Sequence, residues 1–486
     1  MPPAMTSLRG FDRLEVGPVS LEPRALSAPY AVFHGSQKDE ITLQYRYEQD
    51  VFDADDAADH NLGTMMMAQA ALNYGLFCDQ IVIHGPVDTV DLALLRGMLR
   101  NTNREILLHK LCQPNPFLLP GRIEINASDI PSLEGAPLLS PRLSNSRIVA
   151  PWEHDNHRVA VLSSGGKESL LTFGLMRELG FEVHPIYINE SGRHWFTALN
   201  AHRGFKNTVP TTQRVWTNID RVYNWMLRHL PFIRQDFAHV RADQYPIRLW
   251  TVAGLIVGSL PLLRARAIGR LLIGNEYDTS LRLSFHGLSH YGGLYDQSHW
   301  FDAALSKYYD KKRWGIKQFS ILRPLSELLV QKTLAQRYPQ LQAWQVSCHA
   351  AHLDEEKALP CGRCEKCRRV VGMLEAIGAD PGRCGYTAAQ IEQTMAALAS
   401  QSLHQDAPTS EHLLWLLTQR GKLPQPSRRR ARPHPEVMKL RFDTLHAPFD
   451  LIPLDLRQPL LRLMLEHADG ALIRQHRTWA PFDPRE

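Results

Sequence analysis

The sequence predicts an α/β fold: a parallel-sheet domain, a four-cysteine zinc module behind it, an N-terminal α+β domain and a helical C-terminal region. Three observations carry this. From about 155 to 345, short apolar runs alternate with helical stripes, as in "RVAVLS", "SLLTFGLMRELG" and "EVHPIYINE". Such alternation implies parallel strands joined by right-handed crossovers. The first strand enters its helix through "SSGGKES" (163–169), and cysteines cluster at 348–367.

The 486 residues exceed what one core organises, and composition divides them at 1–150, 151–345, 346–385 and 386–486. A formal charge of +5 is too small to argue for nucleic acid by itself. No apolar stretch of about 18 residues occurs, so no membrane span is expected. "MPPAMTSLRG" has no apolar core of a signal peptide, and seven cysteines with four in one cluster suit a reducing compartment. The expected location is the cytoplasm.

In the first block, "DEITLQYRYEQ" alternates like a half-buried strand and "GTMMMAQAALNYGLF" (63–77) carries a helical stripe, with Met65 to Met67 as core filler. The acidic "FDADDAADH" (52–60) reads as a solvated helix start or loop before a metal site. Pro-rich segments, "QPNPFLLPGR" and "PSLEGAPLLSPRLSN", lead out of it. In the second block, "WTVAGLIVGSLPLLRARAIG" is an apolar helix that Pro261 interrupts, and "RLLIGN" is a buried strand. Ligands bind beyond the carboxyl ends of parallel strands. Three polar groups fall there: residues 163–169, Asn189–Glu190 and Asn275–Glu276.

The chemistry of the 163–169 turn points to phosphate. Gly165 and Gly166 permit positive φ and close approach. A helix starting near Glu168 offers unpaired N–H groups and a positive dipole end, while Ser164, Lys167 and Ser169 add hydroxyls and a cation. A plain strand–turn–helix corner is the alternative. Lys167 is followed by Glu168, not Ser or Thr, so the Walker pattern fails, as does dinucleotide spacing.

Cys348, Cys361, Cys364 and Cys367 form C-x12-C-x2-C-x2-C. Four soft thiolates suit a closed tetrahedral zinc site, with Gly362 making the tight turn. A redox pair needs only two of them, and no thioredoxin-like pattern surrounds them. Cys78, Cys112 and Cys384 read as packing residues. In the tail, "TAAQIEQTMAALASQS", "EHLLWLLTQRG" and "PLLRLMLEHADGALIR" carry helical stripes, around a basic Pro-rich linker at 424–437. That linker reads as solvated, with RNA or an acidic partner as the alternative.

The string Ser164–Ser169 is similar to Ser-Gly-Gly-x-Asp-Ser, the signature of the PP-loop ATP pyrophosphatases, with Glu168 at the usual Asp. The resemblance implies an adenine nucleotide alpha hydrolase-like fold that cleaves ATP between the α and β phosphates and leaves AMP on a substrate. Two groups share the order of loop and cysteines over about 160–375. The 7-cyano-7-deazaguanine synthases carry a similar zinc site. The ATP-dependent peptide epimerases of peptidoglycan precursor synthesis look closer, through Asn275–Glu276, "FSILRPLSEL" (319–328), Ser347–Cys348 and "CGRCEKCR". They invert the terminal L-glutamate of UDP-MurNAc-L-Ala-L-Glu.

The resemblance implies an ATP- and Mg²⁺-dependent enzyme with structural Zn²⁺, activating a carboxylate as an acyl-adenylate. Ser164, Gly165, Gly166, Lys167 and Ser169 form the pyrophosphate cradle, with Asn189 and Asn275 on the nucleotide side. Glu168 organises the loop or Mg²⁺, and Lys167 and Arg323 neutralise the leaving pyrophosphate. Glu276 lines the substrate side. His290, with His286, is the proton-carrier candidate, from the Gly-Gly-containing loop "LRLSFHGLSHYGGLYDQSHW" (281–300). Three readings stay open: a peptide or amino-acid epimerase or ligase, a deazaguanine-synthase-type enzyme acting on a nucleobase, RNA or protein, and a non-catalytic nucleotide-binding scaffold.

Overall fold

A strand that is apolar on both faces needs a packing layer on each, and "RVAVL" is such a strand. A computed structural model of the protein describes residues 8–123, 125, 135–192, 194–240, 247, 252–291, 293–401, 403, 405–423, 431–476 and 478–485. The chain begins with β1 (Arg13–Val16), β2 (Ser20–Glu22), β3 (Ala25–His34) and β4 (Gln37–Tyr47). Helix α1 (Ala57–Ala71), β5 (Gln80–Ile83), α2 (Thr89–Ile106) and β6 (Leu138–Leu139) follow.

The central elements are β7 (Asp155–Leu162), α3 (Lys167–Glu178), β8 (Glu182–Asn189), α4 (His194–Thr208), β9 (Gln213–Thr217) and α5 (Ile219–Leu227). Next come α6 (Val252–Ala265), with Pro261 inside it, and β10 (Ile268–Ile273). A hairpin, β11 (Arg282–Phe285) and β12 (Leu288–Tyr291), precedes α7 (His299–Lys312), β13 (Lys317–Phe319) and α8 (Glu327–Arg337).

Eleven strands make one mixed, mostly parallel sheet, ordered β13-β10-β7-β8-β9-β4-β3-β1-β5-β6 with β2 beside β3. From β13 to β9 all pairs are parallel, with Leu272 opposite Val161 and Val183 opposite Val159. Side chains alternate between faces. Val159 and Val161 share a core with Leu170 and Leu171 of α3 and Leu329 of α8. Ala160 joins the other core, with Ile256, Leu260 and Leu263 of α6. The predicted parallel α/β arrangement is present.

The N-terminal block, expected as an α+β domain, shares strands with the central sheet. β4 pairs antiparallel with β9, Tyr47 opposite Val215, so 1–150 extends the same sheet. The pairing satisfies two strand edges that would otherwise expose their backbone groups. Helix α1 also begins earlier than its apolar stripe, because Asp56 caps it by accepting from the Ala58 N–H. Within the acidic run, Asp59 is buried and paired with Arg264. The pair ties α1 to α6.

After α8 come a small hairpin, β14 (His352–Asp354) and β15 (Lys357–Leu359), and α9 (Glu365–Ile377). The tail contains α10 (Ala388–Leu398), α11 (Ala407–Gln419), β16 (Leu440–Phe442), α12 (Leu454–Leu465), β17 (Ala471–Gln475) and β18 (Thr478–Pro481). The last three strands form a second sheet, so the tail is not wholly helical as expected. Its helical reading failed because "GALIR" is too short to distinguish strand from helix by periodicity. Of the basic linker, 424–430 lie outside the described residues. No helix among the described residues is long and apolar enough to cross a membrane.

Lys312, at the end of α7, ties the N-terminal block to this half. Its buried Nζ lies 2.8 Å from both Asp88 and Asp91, and donates to the Ile148 carbonyl at 3.1 Å. Removing one partner of a buried ion pair costs about 3–5 kcal/mol, because the other charge is stranded. Lys312→Met should therefore lower unfolding stability in urea by about that amount. A loss near zero would show that water reaches the two acids.

Candidate functional site

The turn after β7 is held from within. The Ser163 hydroxyl donates to Ser169 Oγ at 3.1 Å, and Ser169 donates to the Gly166 carbonyl at 3.1 Å. Gly165 has φ +72°, and a Cβ there would lie 2.5 Å from the Thr197 carbonyl oxygen of α4. Only glycine fits. Gly166 differs from expectation: its φ is −82°, and it is the N-cap of α3 with no side-chain cap. Its part in the site is the space its missing side chain leaves at the start of the helix.

That start opens on a cleft of about 970 Å³ at the carboxyl ends of β7 and β10. Ser164, Gly166, Lys167, Glu168, Ser169, Asn275 and Glu276, all sequence candidates, line it together. Strand ends remote in sequence do converge. The Asn275 backbone is fixed by Ser320, which accepts from its N–H at 3.1 Å and donates to its carbonyl at 2.7 Å. Asn275 is 5% exposed, and its Nδ2 has no acceptor.

Charge in the cleft is concentrated around Lys167. Its ammonium pairs with Glu168 and, at 2.7 Å, with Glu327. Burial works against that charge, but Glu168, Glu327 and Glu276 outweigh it and hold the Lys167 pKa above the ordinary lysine range. Burial likewise raises Glu327, yet Arg369 and Lys167 bring it down to about 2. Glu276 has less compensation. Burial and then Glu168 push it up to about 7 against the pull of Lys167. It is a cleft carboxyl able to exchange a proton near neutral pH.

Other candidates lie elsewhere. Arg323 is 1% exposed, paired with Asp302 at 2.7 Å and donating to Thr279 and Ser280. It is not a lining residue: those partners engage both of its terminal nitrogens. His290 sits in β12 with its ring 5.1 Å from that of His109, and burial lowers its pKa. His286 is exposed at the hairpin bend. Neither histidine lines the cleft. The predicted substrate loop contains this hairpin, in which His290 is buried opposite Leu283; Gly292 lies outside the described residues. Asn189 is also absent from the lining: its Oδ1 accepts from the Ser191 N–H at 2.9 Å, and the adjacent Glu190 faces the cleft.

The four cysteines meet. Sγ atoms of Cys348 and Cys364 are 3.8 Å apart, those of Cys361 and Cys367 3.9 Å, and those of Cys364 and Cys367 3.5 Å. A tetrahedron with metal–sulfur bonds of about 2.3 Å has edges of about 3.8 Å. The set fits zinc. N–H groups of Cys361 and Ala350 donate to Cys348 Sγ at 3.2 and 3.3 Å, which favours the thiolate. Gly362 makes the turn at φ +71°. Cys78 and Cys384 are buried and Cys112 half-buried, none of them in the four-cysteine group.

The cysteine module also forms a cleft wall. Ser347, Cys348, Lys366 and Arg369 line it, as do Glu327 from α8 and Gln405 and Asp406 ahead of α11. Sequence reading named Ser347 and Cys348 but missed Lys366, Arg369, Glu327, Gln405 and Asp406 as site residues. Lys366 and Arg369 carried a signal, because i,i+3 spacing in "CEKCRR" puts both on one helix face. Gln405 and Asp406 carried none. No protein-family model matches the chain, and no curated protein matches it. The site is defined by its geometry: a polar strand-end cleft in an α/β protein, bounded by a cluster of four cysteines able to hold zinc.

Purified protein should carry about one zinc per chain, and Cys364→Ser should lose metal and thermal stability together, since metal binding and folding are linked. Metal analysis beside a melting curve checks this. Glu276 supplies a pH signature. With its pKa raised from 4.5 to about 7, the folded state holds that proton more tightly than the unfolded chain. Its contribution is therefore fully present below pH 4.5 and lost as pH rises through 7. Glu276→Gln should melt higher than the parent above pH 7, with the gain vanishing toward pH 4.5.

Proposed function

We propose that the cleft binds ATP, cleaves it between the α and β phosphates and transfers AMP to a substrate carboxylate. The observation that carries this reading is the Ser164–Ser169 turn, which starts a helix beside a buried lysine and opens on the cleft. Free N–H groups and the dipole at the start of α3 suit phosphate oxygens. A substrate carboxylate oxygen attacks the α phosphorus, the bond to the bridging oxygen breaks, and pyrophosphate leaves with the electron pair. Lys167 meets charge developing on that leaving group. Mg²⁺, bound with the phosphates, would screen their charge, and Glu168 and Glu276 are among the cleft carboxylates that could hold it.

The acyl-adenylate then has two fates. In an epimerase of the muramyl-peptide type, loss of the carboxylate charge acidifies the neighbouring C–H, a proton leaves and returns to the other face, and water then hydrolyses the adenylate to AMP and the inverted peptide. Glu276 and His194 both line the cleft and can carry the proton. In a deazaguanine-synthase-type enzyme, a nucleophile attacks the acyl carbon and AMP departs. Epimerisation is the reading we favour from the motifs at 319–328 and Asn275–Glu276. A nucleotide-binding scaffold would perform neither step.

Incubation with ATP, Mg²⁺ and UDP-muramyl peptides or small carboxylates should release AMP and pyrophosphate. Ser164→Ala, Gly166→Ala and Lys167→Ala should each remove AMP formation, by about 10²–10³-fold where one stabilising donor is lost. Appearance of ADP would replace this reading with a kinase-like one. With a peptide ending in L-glutamate, α-deuterium uptake from solvent without a new covalent product identifies the epimerase. An amide, nitrile or conjugate without deuterium identifies the alternative.

A further inference from the structure

Lys366 is a cleft-lining cation that Lys167 and Arg369 do not resemble in their pairing. Lys167 is held by Glu168 and Glu327, and Arg369 lies 3.4 Å from Glu327. Lys366 forms no hydrogen bond or ion pair with any described residue, although it faces the same space. Burial weighs most against its charge, Arg369 and Lys167 repel it, and Glu168 and Cys364 attract it. A cleft-lining ammonium without a hydrogen-bonded partner is completed by an incoming anion.

Its position is built, since Lys366 is the second residue of α9 and lies between Cys364 and Cys367 of the metal cluster. The ligand-type cysteines fix the first turn of that helix, so they fix where its ammonium can reach. The Asn275 side chain gives an independent indication. It is nine-tenths buried or more, lines the same cleft, and carries an amide donor without an acceptor. A buried donor left unpaired costs free energy that a ligand oxygen removes.

We propose that Lys366 is a phosphate-binding residue, its ammonium meeting the departing pyrophosphate while Asn275 donates to a neighbouring phosphate oxygen. The zinc module thus supplies part of the nucleotide site from a segment about 200 residues beyond the Ser164–Ser169 turn. When the bond between α and β phosphates breaks, the extra negative charge falls on the pyrophosphate, where Lys366 neutralises it. The proposal rests on the nucleotide reading, and its test separates the two.

Calorimetric titration of the zinc-loaded full chain with inorganic pyrophosphate, and separately with AMP, provides that test. The parent should bind both. Lys366→Ala should weaken pyrophosphate by about 10- to 100-fold, the value of one hydrogen bond to a charged group, with AMP affinity and zinc content unchanged. Lys366→Arg should restore pyrophosphate binding, which a packing role would not require. Lys366→Gln, which removes the charge but keeps most of the side chain, replaces the alanine variant if that one loses zinc. Unchanged pyrophosphate affinity in a zinc-retaining variant overturns the proposal alone. A parent that binds neither ligand overturns the nucleotide reading and the proposal with it.

Discussion

The ammonium of Lys167 is buried at the first position of α3, 2.7 Å from Glu327 at the first position of α8. Burying one charge is costly unless another meets it with good geometry, so these helices are locked at their N-termini. Glu327 also accepts from Gln405 at 2.7 Å and lies 3.4 Å from Arg369 of α9. One carboxylate therefore joins the phosphate-type turn, the helix after β13, the cysteine module and the segment ahead of α11. Shifting any of them would strand a buried charge.

The tail is built onto the same region. Tyr277, just past Glu276, donates to Asp443, and the Arg441 guanidinium lies 3.9 Å from the centre of the Tyr277 ring. Arg441 also lies 3.4 Å from Asp278 on the cleft wall. In an open parallel sheet the carboxyl ends of the strands form a crevice with an uncovered side. Here Leu403, Gln405, Asp406 and Ala407 line that side, which turns a crevice into a bounded cleft.

The cysteine module has a comparable part. Its four sulfurs gather within 4.8 Å of one another, and a zinc ion held by all of them has no open position for chemistry. What the module offers the cleft is placement: Ser347 and Cys348 on one side of the cluster, Lys366 and Arg369 on the other. Small closed metal sites are stiff, and stiffness is what a charged side chain needs to meet a ligand without losing its rotamer entropy at each encounter.

The sequence by itself determined the local features: β7, the turn at 163–169, α3, and the cysteine spacing. Each depends on residues a few positions apart, whose periodicity or conformational demands are set by neighbours along the chain. Gly165 is an example, since its turn needs positive φ whatever surrounds it. The strand-end pair Asn275–Glu276 was also legible, because a buried parallel strand must end where ligands bind. Only the tertiary structure decided which of the outlying charges reach the cleft. Arg323 and His290 carry suitable chemistry, yet Asp302 and His109 engage them away from it. Glu327, Lys366 and Asp406 enter because helices distant in sequence pack side by side. The joining of β4 to β9 is of the same kind: strand pairing is a long-range choice, set by which edges remain open once the rest has packed.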